Sequence, residues 1–551
     1  MRAFLLTLSA LLGLSVFSQP VKTSKSVTRP KLVVGIVIDQ MRWDFLYRYY
    51  DRYGEGGFKR LMNQGFRCEN TMIPYTPSYT AAGHASIYTG SVPAVNGIMG
   101  NYWYQRELGR NVYCTDDSTV TPVGTSTKAG KMSPRNLWTT TITDELRLAS
   151  NFRSKVIGIA FKDRGSILPA GHAANAAYWF DDSTGGFITS SYYMSRLPEW
   201  MQSFNAKRLP DQYLNGNWNT LYPINSYTGS SGDSAAYEAV LPGEDNTFPH
   251  ETSRIARNKY NSFRYTPFAM SFTFQAAEAA VTAEKLGGSG ETDFLALSFS
   301  STDYIGHEFG PNSIEVEDAY LRLDRDLAAF LQFLDRSVGK GQYLVFLTSD
   351  HGVSHVPGFL REHSIPAGSY DDAEIARQIN LKIEAQFGLK KAISQVINYQ
   401  VYFDHSLVNN NNQAAVTAFT IKELLQFPFI ANAFELSGIM SAPIPGRLRE
   451  MLANGYNQKL SGDIQFNYKP QWFDGGARGT SHGVWYAYDT HIPLIFYGWN
   501  IAKGSSNREI YMTDIAPTIA ALLKIQMPSG SIGKVIGEVV GGDQSAGAKR
   551  N

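Results

Sequence analysis

A chain of 551 residues with a formal net charge of +1 and 18% charged residues lacks the basic surplus of a nucleic-acid binder, so no such partner is expected. With only two cysteines, Cys68 and Cys114, it cannot build a thiolate metal cage, which leaves Asp, Glu and His to hold any metal. Past the N-terminal leader no apolar run approaches membrane-spanning length, so no stable membrane anchor is expected.

Residues 1–18 read as a signal peptide. Arg2 supplies the positive start and 3–17 the apolar run, while Val16 and Ser18 are the small residues before a cut at Gln19. The mature chain is expected in the periplasm or secreted, as a monomer. In an exported chain the two cysteines are expected to form a disulfide.

In chain order, short apolar runs at 31–38, 156–161, 294–299, 343–348 and 492–497 suit strands buried on both faces of a parallel sheet. Helical patterns at 56–64, 81–89, 138–149, 317–337 and 514–524 fall between them. This alternation predicts an α/β fold: a doubly wound, mostly parallel central sheet with helices on both faces. Two stretches break the pattern, 180–270, rich in Tyr, Ser, Asn and Gly, and 365–475; both are read as insertions that cap or wall a cleft. Otherwise 19–551 is expected to be one domain.

Ligands of such sheets bind beyond the carboxyl ends of the strands. Asp39, Lys162, Asp303 and Asp350 all lie at or just past the end of an apolar run, which points to a shared cleft. In "S-T-D-Y-I-G-H-E", Asp303 and His307 stand four apart, on one face of a helical turn. "T-S-D-H-G" sets Asp350 and His351 at a strand's end, and "G-T-S-H-G-V" offers His482 between glycines. Three carboxylates and three imidazoles suit two borderline ions such as Zn²⁺, each with open positions for chemistry. The remaining histidines are not assigned to metal; for His84, helix packing or a bond behind a ligand is the expected role.

The ordered set Asp39, Thr80, Asn101, Lys162 with Arg164, Asp303 with His307, Asp350 with His351, and His482 resembles the alkaline phosphatase superfamily. More narrowly it is similar to the phosphate-irrepressible bacterial alkaline phosphatases, relatives of the nucleotide pyrophosphatase/phosphodiesterases. "F-K-D-R-G-S", "S-D-H-G" and "T-D-I-A-P-T-I-A-A-L-L" carry the likeness along nearly the whole mature chain. The resemblance implies two zinc ions, one held by Asp303, His307 and His482, the other by Asp39, Asp350, His351 and the Thr80 oxygen. It implies a phosphate monoester as substrate and Lys162 and Arg164 as the cations that hold its phosphate.

A threonine hydroxyl needs a base or a metal before it attacks. The metal set makes Thr80, at the head of the helical pattern, the expected nucleophile, with Asn101 donating to a phosphoryl oxygen. Capping of that helix is the alternative reading of Thr80. "F-K-D-R" argues for a monoester, because its two cations answer a second negative charge that a diester lacks. The nearest rival is a phosphodiesterase or nucleotide pyrophosphatase on the same scaffold. A sulfatase would need a C/S-x-P-x-R motif, which "T-P-S-Y-T-A-A" lacks, and a phosphoglycerate mutase conflicts with the leader. A binding protein with a relic fold would tolerate decayed ligands, and none of these positions shows decay.

Overall fold

A computed structural model describes residues 28–241, 246–254 and 259–541. The signal peptide expected at 1–18 lies outside the described residues. The main sheet has ten strands: β1 (Leu32–Ile38), β2 (Phe66–Cys68), β3 (Pro122–Val123), β4 (Val156–Ala160), β5 (Ala176–Asp181), β6 (Gly186–Ser190), β7 (Asp293–Phe299), β8 (Tyr343–Thr348), β9 (Leu494–Gly498) and β10 (Gly504–Ser506). They lie in the order β10-β2-β9-β8-β1-β7-β4-β5-β6-β3.

At the centre β8, β1, β7, β4 and β5 run parallel, with Leu32 of β1 opposite both Asp293 and Tyr343. Every residue of these five strands is buried, so their sequences show no alternation between apolar and polar. Cover on both faces removes the reason for alternation. The run expected as a further parallel strand, 492–497, departs from that expectation: β9 pairs antiparallel with β8. A continuous apolar run reports that both faces are covered; it does not report direction.

Eight helices matter for the site and its support: α1 (Phe58–Gln64), α2 (Thr80–Thr89), α3 (Ile142–Ala149), α4 (Asp163–Ala170), α5 (Phe268–Glu284), α6 (Ser301–Phe309), α7 (Ile314–Leu334) and α8 (Ile515–Leu523). Alternate residues of β1 send them to opposite faces. Leu32, Val34, Ile36 and Ile38 pack in one cluster with Phe272 and Phe274 of α5 and Leu323 and Phe330 of α7. Val33 and Val37 join Ile87 of α2, Ile142 and Leu146 of α3, and Ile515 and Ile519 of α8. Each such side chain, fully buried, contributes about 1.5–3 kcal/mol, so two continuous layers fix the strand ends firmly.

The expected disulfide is absent. Cys68 and Cys114 are buried free thiols in separate apolar clusters, the first beside Phe66 and Phe496, the second beside Trp103 and Leu137.

The two irregular stretches differ in kind. Within 180–270, β6 extends the main sheet and Met201 and Phe204 join the α5–α7 core, so much of this stretch belongs to the sandwich. Within 365–475, strands Ile393–Ile397, Gln400–Phe403, Ile464–Tyr468 and Ile430–Glu435 make an antiparallel sheet in that order. It carries its own apolar cluster, including Ile379, Val401 and Phe466. Its turn at 398–399 meets the main body, where Asn398 Nδ2 donates to the Tyr102 carbonyl (2.8 Å) and the Tyr399 hydroxyl to the His482 carbonyl (3.3 Å).

Candidate metal centre and active site

The carboxyl ends of the central strands deliver the expected residues to one place. Asp39 follows β1 directly, Lys162 lies just past β4, and Asp350 and His351 lie just past β8. Asp303 sits in the first turn of α6, which starts after β7, and His307 one turn later. His482 arrives on the loop before β9. Asp39, Thr80, Lys162, Asp303, Asp350, His351 and His482 are all buried, and His307 keeps part of its ring exposed.

Each of the three histidines is oriented the same way. His307 Nδ1 donates to the Thr480 carbonyl (2.7 Å), His351 Nδ1 to the Gly352 carbonyl (3.0 Å) and His482 Nδ1 to the Ser78 carbonyl (2.8 Å). A carbonyl partner fixes the tautomer and leaves Nε2 as a lone-pair donor. Those Nε2 atoms converge on carboxylate oxygens: His307 and His482 lie 3.2 and 3.6 Å from Asp303 Oδ1, and His351 lies 3.4 Å from Asp39 Oδ1. The His351 and His482 rings stack 3.5 Å apart. Asp39 Oδ1 is buried without a hydrogen-bond partner. Oriented imidazoles, clustered carboxylates and an unsatisfied anionic oxygen together fit divalent cations.

Two groups have donor atoms close enough to share an ion: Asp303, His307 and His482, and Asp39, Asp303 and His351. The first matches the expected set. The second holds Asp303 where Asp350 was expected. Asp350 remains adjacent, with Oδ2 at 3.4 Å from His351 Nε2, while Oδ1 accepts from the Gln40 and His351 backbone amides (3.2 and 3.1 Å).

The Lys162 ammonium bridges the two groups, donating to Asp39 Oδ2 (2.8 Å) and Asp303 Oδ2 (2.5 Å). Burial works against its charge, but Asp303 and Asp39 outweigh burial and hold its pKa above the usual lysine value. Burial, reinforced by the Asp303 and Asp350 charges, raises the Asp39 pKa. Asp303 goes the other way: burial opposes its charge, yet His307 and Lys162 hold it well below the carboxylate range. Burial pushes His351 and His482 down, so both stay neutral donors at ordinary pH.

Thr80 is the first residue of α2, and its Oγ1 lies 3.3 Å from His351 Nε2 and 3.4 Å from Lys162 Nζ. Its own helix is not capped by that hydroxyl, since the cap position is Tyr79 and no side chain bonds there. Asn101 instead takes the Ala81 amide on Oδ1 (3.0 Å), an anchor that fixes the direction of its Nδ2. Helix α2 comes very close to β8: a Cβ on Gly83 would lie 2.5 Å from the Asp350 carbonyl oxygen. Arg164, in the first turn of α4, donates Nη1 to the Tyr113 hydroxyl (2.9 Å), and Tyr113 donates to Asp163 Oδ1 (2.8 Å).

One neighbour carried no sequence signal. Gln40 donates Nε2 to Asp303 Oδ1 (2.8 Å) and holds a left-handed backbone, φ 67°. A neutral amide beside Asp39 looks like any strand-end polar residue. His84, expected to pack in its helix or to bond behind a ligand, has Nδ1 2.9 Å from the Thr80 carbonyl and 3.2 Å from Asp350 Oδ2, with Ser298 Oγ at 2.8 Å from Nε2.

Residues 33–424 match the family model described as type I phosphodiesterase / nucleotide pyrophosphatase. Alkaline phosphatase PhoV of Synechococcus elongatus is 51% identical over 95% of this chain and 95% of its own length. Alkaline phosphatase PafA of Elizabethkingia meningoseptica is 50% identical over 96% of this chain and 98% of its own. The crystal structure of wild-type PafA superposes with a TM-score of 0.91, covering 94% of this chain and 100% of that one. A further relative, from Myroides odoratus, is named a calcium-transporting ATPase and is 49% identical over 95% of this chain and 97% of its own.

Proposed function

The chain belongs to the type I phosphodiesterase / nucleotide pyrophosphatase family, and from that premise we propose that it is an alkaline phosphatase, a hydrolase of phosphate monoesters. The observation that carries the reading is the buried Thr80 hydroxyl set between the Lys162 ammonium and a cluster of three oriented imidazoles and three carboxylates. Its relatives PhoV and PafA, alike over almost their whole lengths, are named for the same activity. The name of the third relative adds nothing that the described residues carry, since none of their helices is long and apolar enough to cross a membrane.

Asp303, His307 and His482 would hold one divalent ion, and Asp39, Asp350 and His351, with the Thr80 oxygen, a second; zinc fits this mix of nitrogen and carboxylate donors. Bound there, the ions would supply Lewis acidity for the attacking and leaving oxygens of an in-line displacement.

The chain's own residues do the rest. Thr80 Oγ1 attacks phosphorus after losing its proton, and the ester oxygen departs, leaving phospho-threonine; hydrolysis of that ester restores the hydroxyl and releases inorganic phosphate. Asn101, oriented by the Ala81 amide, donates to a phosphoryl oxygen. Lys162 and Arg164 answer the remaining charge. Three aspartates and a threonine alkoxide, set against two divalent ions, Lys162 and Arg164, leave an excess of about two positive charges, the complement of a monoester dianion. The folded domain is proposed to be 19–551, acting as a monomer outside the cytoplasm after removal of the leader.

The test is kcat/KM for an aryl phosphate monoester and for its methyl diester on one metal-analysed preparation. A large monoester preference with two zinc ions per chain is expected. A diester preference would keep fold and nucleophile but reject the monoesterase reading.

A further inference from the structure

Tyr304 lies between two residues already placed at the site, Asp303 and His307, yet the reaction above gives it no work. Its ring is partly exposed and stands beside the phosphate-facing cations, with Lys162 Nζ 5.0 Å from the ring centroid. Arg164 stands two residues beyond Lys162, in the first turn of α4. From the 180–270 stretch a third cation joins them. The Arg264 guanidinium lies 4.9 Å from the Tyr304 centroid and donates Nη1 to the Tyr304 hydroxyl (2.8 Å), while Nη2 is ion-paired to Asp182.

The hydroxyl therefore accepts a charge-assisted hydrogen bond, and among the described residues its own proton has no acceptor. A hydroxyl that accepts from a cation becomes a stronger donor through polarisation of the O–H bond. An oxygen held by both Lys162 and Arg164 would sit alongside this ring, where the phenol can reach it.

We propose that Tyr304 is a further substrate-contacting residue, donating its hydroxyl proton to the phosphoryl oxygen held by Lys162 and Arg164, and that Arg264, fixed by Asp182, is its positioning residue. The inference rests on the monoesterase reading and refines it. In a monoester that oxygen is charged and accepts strongly; in a diester an ester group occupies one of the corresponding positions and accepts weakly. Tyr304 thus adds to the discrimination between the two substrates, and the 180–270 stretch contributes to selectivity through one guanidinium.

The variant Tyr304→Phe keeps the ring and its contact with Lys162. A hydrogen bond to a charged group is worth roughly ten- to a hundredfold, so kcat/KM for the aryl monoester should fall by that factor and that for the methyl diester by much less. Inhibition by inorganic phosphate should weaken in step, with zinc content unchanged. Arg264→Ala should cause a similar loss, Arg264→Lys should restore part of it, and Tyr304→Phe/Arg264→Ala should be no worse than Tyr304→Phe alone. Wild-type kinetics and phosphate affinity in Tyr304→Phe, or equal loss on both substrates, overturn the contact. Additive losses in the double variant overturn the positioning role. A wild type that itself prefers the diester overturns instead the reading on which this inference rests, before any variant is compared.

Discussion

At the scale of single residues, the site works by denying its side chains other partners. Thr80 does not cap its helix, and the three histidines spend one nitrogen each on a carbonyl and turn the other toward the carboxylates and Thr80. From this follows the first expectation: Thr80→Ala should bind zinc as the wild type does, form no phospho-enzyme and lose on the order of 10³-fold or more in kcat. Undiminished steady-state turnover in that variant would remove the nucleophile role. A second concerns the cations. In the structure Lys162 is buried between Asp39 and Asp303, and Arg164 is held by Tyr113. Lys162→Ala with Arg164→Ala should cost the monoester at least about a hundredfold more than the diester, because each charge-assisted pair is lost only where the second anion exists. Equal losses would reject the charge argument.

At the scale of elements, the approach of α2 to the end of β8 sets the distance between the Thr80 hydroxyl and the Asp350 and His351 side chains. Gly83 makes that approach possible, since any Cβ there would collide with the backbone and Cβ of Asp350. Gly83→Ala should push the helix from the strand end, destabilise by about 1–3 kcal/mol and lower zinc occupancy, measured by chemical denaturation and metal analysis. Unchanged stability and metal content would show that the contact is slack. Elements of this kind were largely legible in the sequence. Runs such as 343–348 stop where the chain leaves the sheet, so the residue after the run is delivered to the carboxyl edge, and Asp39, Lys162 and Asp350 were found that way. What stayed hidden had no local signature. The reversed direction of β9 depends on its connection, and Gln40 is set by contact with a residue far along the chain. Likewise Arg264 reaches Tyr304 from a stretch with no periodicity, and Cys68 and Cys114 face different layers, which no spacing of two residues could reveal.

At the scale of the whole molecule, the candidate ligands run from Asp39 to His482 and come from the ends of separate strands and from loops that only the finished sheet brings together. Binding that occurs in the native state alone stabilises that state by mass action, so stripping zinc with a chelator should abolish turnover and also lower Tm, and both should return on adding zinc back. A chelated protein that melts at the holo temperature would show that the ions do not brace the fold. The same wide spacing has a meaning for the chain as it is made. A polypeptide halted between residues 348 and 482 already holds all five parallel central strands, yet it lacks one imidazole of the proposed cage and all of β9, which borders β8. On the proposed ligand set, hydrolytic competence waits for the stretch that brings His482 and β9, so a chain still short of it is expected to fold its central strands before it can act on any phosphate ester.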